Sequence, residues 1–118
     1  MVKVSFLKWA KAAARIAADK KGKDIVILNV MKHTPIADYF VIVTAESSPQ
    51  MRAIVDDIEL QFKQEDAPAP VHREGRTSSS WAVLDYGGII IHIMSPEARA
   101  FYTLERAWPD ARKITFDK

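Results

Sequence analysis

The sequence predicts an α/β protein of three helices and about five strands in the order αββαβββα. Three observations carry that prediction. Apolar residues recur at helical spacing in two long segments, short β-branched runs alternate with them, and two Ser-Pro pairs stand where helices would begin. At 118 residues the chain suits a single domain spanning 1–118, since domains cluster at about 100 to 150 residues.

Each element has its own warrant. Phe6, Trp9, Ala10, Ala13, Ile16 and Ala17 fall on one face of a helix from about Val4 to Lys20, within a basic amphipathic segment 1–21, and Gly22 ends it. The run from Asp24 to Val30 predicts a buried strand, Thr34-Pro35 a turn, and Ala37 to Thr44 a second strand. In Ser48-Pro49-Gln50 a capping residue precedes proline at the first helical position, and Met51, Ile54, Val55, Ile58 and Phe62 form a stripe to about Gln64. Pro68 and Pro70 cannot continue that helix. A short edge strand is expected at Val71 to Arg73, then a polar loop from Glu74 to Ser80. Trp81 to Tyr86 and Ile89 to Met94 flank Gly87-Gly88, which supplies the positive φ angles of a tight hairpin. Ser95-Pro96-Glu97 repeats the cap-then-proline start, and the last helix is expected to run through Phe101, Tyr102, Leu104 and Glu105 to Trp108, before Pro109.

Composition narrows the function. The chain has no cysteine, which removes disulfides, thiolate metal sites and a cysteine nucleophile, and suits a reducing cytosol. No apolar run reaches the roughly 18 to 20 residues of a membrane span, and the first residues lack a signal-peptide pattern, so a cytoplasmic protein is expected. Charge is uneven: Met1 to Lys23 carries seven cations against Asp19, a surplus of six, so the remainder sums to −4 within a net +2. A basic front end fits an anionic surface, and the plainer alternative is a solvated lysine face.

Catalytic chemistry finds little footing. Asp38 and Asp85 stand near strand ends without a partner at metal-binding spacing, and turn or backbone hydrogen bonds beside Pro35 and Gly87 explain them. His33, His72 and His92 are too scattered for a metal motif, and His92, inside an Ile-rich strand, reads as a hydrogen-bonded structural histidine. Ser78, Ser79 and Ser80 lack the glycines of a nucleophile elbow. No metal or cofactor is expected. Strand alternation puts Trp81 and Asp85 on one face and Leu84 and Tyr86 on the other, an aromatic arrangement that suits a contact surface.

Those residues also carry a resemblance. Glu74-Gly75, Trp81-Ala-Val-Leu-Asp-Tyr-Gly87, Ile91-His-Ile93 and Glu97-Ala-Arg-Ala-Phe-Tyr-Thr-Leu-Glu-Arg-Ala-Trp108 resemble the signature of the ribosome silencing factors, the Iojap-like family. Ala37-Asp-Tyr-Phe-Val-Ile-Val-Thr44 and Gln50-Met-Arg-Ala-Ile54 resemble its earlier blocks, so the likeness runs from about Gly22 to Ala111. Ala45 and Gly88 depart from it, standing where a glycine is common and where an acidic residue often follows.

The resemblance implies a mixed sheet with a nucleotidyltransferase-like fold that lacks the catalytic motif, and a non-enzymatic translation regulator. Such a factor would bind the large ribosomal subunit at ribosomal protein L14 and block small-subunit joining; ribosome assembly is an alternative duty, and a homodimer is plausible for the free protein. The rival is a metal-dependent nucleotidyltransferase-like enzyme, which needs two carboxylates one residue apart on a strand, whereas Asp38 is followed by Tyr39 and Phe40. On this reading Trp81, Asp85 and Tyr86 dock the partner, extended by Gln50, Arg99, Tyr102 and Glu105. Because alternation divides the strand, one set is expected to support the other from beneath.

Overall fold

The computed structural model describes residues 6–70, 72–74 and 80–116. The elements are α1 (Phe6–Asp19), β1 (Lys23–Asn29), β2 (Tyr39–Thr44), α2 (Ser48–Gln64), β3 (His72–Glu74), β4 (Trp81–Asp85), β5 (Ile89–Met94), α3 (Pro96–Tyr102), a 3-10 turn (Leu104–Ala107) and β6 (Arg112–Ile114). All eight expected elements are present in the expected order, with the 3-10 turn and β6 added. The strands form one mixed sheet in the order β3-β4-β5-β2-β1-β6. Among the described residues only the central β2–β5 pair is parallel.

That central pair explains the continuous apolar runs. Every residue of β2 and β5 is buried, because both faces of the sheet are covered there. Alternate residues divide between two cores. Val41, Val43, Ile91 and Ile93 join Trp9 and Ile54 beneath α1 and α2. Phe40, Ile42, Ile90 and Met94 face the other way, toward Ala98, Leu104 and Trp108. The basic helix α1 and the short helix α3 therefore lie on opposite faces of the sheet.

Local chemistry fixes three boundaries, those of α2 and α3 differently from the sequence expectation. The cap of α2 is Ser47 rather than Ser48: the Ser47 backbone is extended and its hydroxyl accepts the Gln50 N–H at 3.2 Å. The left-handed residue after α1 is Lys21 (φ 67°), not Gly22. Gly22 is needed for space, since a Cβ there would lie 2.8 Å from Val43 Cγ1 and 2.9 Å from the Ala17 carbonyl oxygen. Finally, α3 stops at Tyr102 instead of Trp108, because Thr103 turns left-handed (φ 44°). The turn lets Leu104 and Trp108 reach the second core, where Trp108 meets Phe40 edge-on at 4.7 Å. Tertiary packing thus overrides an otherwise uninterrupted helical pattern.

Candidate functional site

The β4–β5 hairpin is built by its turn residues. Gly87 has φ 86°, the conformation glycine adopts without a Cβ clash, and its N–H donates to Asp85 Oδ1 at 2.8 Å. Tyr86 N–H closes the turn on the Ile89 carbonyl at 2.9 Å. Asp85 thus serves the turn, as one reading of the sequence anticipated.

Alternation along β4 sorts the docking candidates. Trp81, Val83 and Asp85 are half-buried, whereas Ala82, Leu84 and Tyr86 are buried. Tyr86 is 3% exposed and packs 5.0 Å from Phe62 of α2, so it supports the strand from below and does not reach the surface as a contact. Trp81 lies on the opposite face and is joined by Tyr102, ring centroids 4.7 Å apart. Tyr102 in turn meets Phe101 edge-on at 4.9 Å.

These rings continue inward. Trp81 Nε1–H donates to His92 Nδ1 at 3.1 Å, and the His92 ring lies 4.9 Å from Phe40. A path of aromatic rings therefore runs from Phe40 and His92, both buried, through Trp81 to Tyr102 and Phe101, which are 51% and 79% exposed. Burial lowers the His92 pKa from 6.5 to about 4, so the imidazole is neutral at physiological pH.

Arg99 and Glu105 brace the same region. The Arg99 guanidinium donates through Nε and Nη2 to Glu105 Oε2 at 3.1 and 2.8 Å, and through Nη1 to the Thr44 hydroxyl at 2.9 Å. Burial pushes the Glu105 carboxyl up, but the Arg99 hydrogen bond and charge outweigh it and hold it below the usual value. This pair ties α3 to the 3-10 turn and to β2. Gln50 has different partners: its amide donates to the Lys20 and Lys21 carbonyls at 3.0 and 2.8 Å and accepts the Glu46 N–H at 2.6 Å. Gln50 therefore pins the end of α1 to the start of α2.

Of the seven sequence candidates, the structure brings together Trp81, Tyr102, Arg99 and Glu105, with Asp85 at the far end of β4. Phe101 was missed. Its exposure follows from the shortness of α3, in which Ala98 is the buried residue, and the sequence carries no separate signal for it.

Asp38 precedes β2 and its backbone N–H donates to the Gly88 carbonyl at 2.8 Å. At the other end of β2, the starts of α2 and α3 border a crevice of about 310 Å³ lined by Ser47, Ser48, Ser80, Ser95, Glu46 and Glu97. His33 is exposed. The expectations about Ser78 and Ser79, and about the His72 side chain, lie outside the described residues. Among the described residues no group of three or more His, Cys, Asp or Glu is arranged to hold a metal ion, and no helix is long and apolar enough to cross a membrane.

Comparison with known proteins points one way. A family model described as "Ribosomal silencing factor during starvation" matches residues 4–118. The Bacillus subtilis protein named ribosomal silencing factor RsfS is 33% identical over 107 residues, covering 91% of this chain and 90% of that one. The maize protein named Iojap, chloroplastic, is 35% identical over 112 residues, covering 92% of this chain and 46% of that one. Among solved structures, a crystal structure of a Chromobacterium violaceum protein superposes with a TM-score of 0.84 at 29% identity, covering 98% of this chain and 94% of that one.

Proposed function

Since the chain belongs to the ribosomal silencing factor family, we propose that it represses translation by docking on the large ribosomal subunit at ribosomal protein L14 and keeping the small subunit from joining. The observation that carries this reading is the exposed end of the aromatic path. Large aromatic side chains held at a surface by rings packed beneath them are the usual anchors of protein–protein contacts, because they desolvate much area at little entropic cost. Trp81, Tyr102 and Phe101 have that arrangement. The partner itself, L14, is carried over from the family resemblance.

The other candidates take graded roles. Asp85 stands four residues along β4 from Trp81, about 13 Å at the usual strand rise, and contributes rim charge. Arg99 and Glu105 hold the surface in place through each other, while Gln50 and Tyr86 act from within the fold. A ribosomal RNA contact through α1 would use the opposite face of the sheet, where Lys8, Lys20 and Lys21 are exposed. Occlusion needs no catalytic group, which suits a non-enzymatic role.

Cosedimentation with purified large subunits tests the docking. The parent should pellet with the subunits and suppress small-subunit joining measured by light scattering. Phe101→Ala with Tyr102→Ala should weaken binding about tenfold or more while the protein stays folded with only a modestly lower Tm, since both residues are largely exposed. A double variant that binds like the parent would refute this surface.

A further inference from the structure

Strand β5 reads Ile-Ile-Ile-His-Ile-Met and is buried throughout, with His92 7% exposed. Its cross-strand neighbours are Ile42 on β2 and Val83 on β4. An apolar side chain would suit that position better on folding grounds alone. The indole N–H of Trp81 can only donate, so His92 Nδ1, 3.1 Å away, is the acceptor and the neutral ring carries its proton on Nε2. Nε2 is buried and has no hydrogen-bond partner among the described residues. Leaving a buried donor unsatisfied destabilises a fold, and a phenyl ring of similar shape would avoid that cost. The Nδ1 acceptor is what a phenyl ring would lack.

We propose that His92 is the positioning residue of the docking surface, the acceptor that sets the tilt of the Trp81 indole and, through ring contacts, the placement of Tyr102 and Phe101. The inference rests on the docking reading above and names the group that organises that site. Tilted ring contacts and burial hold an indole without fixing its rotation closely, whereas a hydrogen bond weakens steeply off axis. Tyr102 lies against the ring that His92 orients, so rotation of Trp81 would move the most exposed part of the surface with it. The neutral state that this requires is maintained by burial, and the charged residues that α3 and the 3-10 turn bring to this face, Arg99 and Glu105, are bonded to each other.

His92→Phe keeps a ring against Phe40 and removes both nitrogens. Its thermal midpoint should be unchanged or higher, its Trp81 indole N–H resonance should shift, and its affinity for purified large subunits should fall roughly three- to tenfold, the worth of one net hydrogen bond. His92→Asn, whose side-chain oxygen can occupy the place of Nδ1, should recover both the resonance and part of the affinity. A purely structural role would move the midpoint and leave the folded protein's affinity alone. If folded His92→Phe binds like the parent while Trp81→Ala with Tyr102→Ala does not, the positioning role is overturned and the docking surface stands. If that double variant also binds like the parent, both fall. Nitrogen NMR of the unmodified protein gives a check that needs no variant: the Nε2–H tautomer is expected at neutral pH, and an Nδ1–H tautomer overturns the inference.

Discussion

Replacing Gln50 by glutamate would separate a side chain that holds the fold from one that touches the ribosome. The shape is kept and one oxygen still accepts the Glu46 N–H, but the amide nitrogen that bridges the Lys20 and Lys21 carbonyls becomes an oxygen facing two oxygens. Two lost hydrogen bonds contribute about 1 to 3 kcal/mol, and repulsion adds to this, so after allowance for the partly exposed position Gln50→Glu should cost about 2 to 3 kcal/mol. In a chain of 118 residues that corresponds to a fall of about 10 °C in Tm. Chemical denaturation at neutral pH and again near pH ~4 measures it; the deficit should shrink in acid, where the carboxyl takes up a proton and can donate once. At a temperature where both proteins are folded, large-subunit binding should match the parent. Stability within about 0.5 kcal/mol of the parent would refute the staple, because ordinary surface changes fall in that range. Normal stability with lost binding would return Gln50 to the contact surface.

His92 makes stability pH-dependent with a definite sign: its folded pKa of about 4 lies below the ordinary 6.5, so the native state resists protonation. The contribution is complete above the ordinary value and is lost as pH falls toward the folded one, by about 3 kcal/mol in all, and denaturation of His92→Phe should lack this component. Glu105→Gln should cost about 1 kcal/mol at neutral pH by weakening the bond that holds Arg99, a difference that fades as pH falls through the lowered Glu105 pKa and the parent loses the same charge. At the hairpin turn, a Cβ on Gly88 would lie 2.2 to 2.4 Å from the Phe6 ring, so Gly88→Ala should destabilise the parent more than it destabilises Phe6→Ala. A double-mutant cycle by chemical denaturation reads that coupling, and additive effects would show that α1 does not rest on the turn.

Most of the architecture was legible because its periodicities are strong. The Met51-to-Phe62 stripe and the runs in β2 and β5 bury the residues that their patterns name. The end of α3 was not, because nothing at Thr103 breaks a helix locally; the stop comes from Trp108 reaching Phe40 and Arg99 reaching Glu105. β6 is three residues long and pairs with the edge of β1, too short to show alternation. At the site, alternation separated Trp81 from Tyr86 before any coordinates, but Gln50 looked like a surface amide until the Lys20 and Lys21 carbonyls were seen beside it. Phe101 was placed on the last helix but not at the surface, because its exposure follows from α3 ending at Tyr102.

The parallel pairing of β2 with β5 also bears on timing. Residues 39–44 find their central partner only in residues 89–94, with α2, β3 and β4 between them, and closing so long a loop precedes any return from the contact. A chain emerging from its amino end has α1, β1, β2 and α2 well before it has β5 or α3. The rings at Trp81, Tyr102 and Phe101 all follow α2 in chain order, so this surface is assembled only after the other half of the sheet and both long helices have left the ribosome.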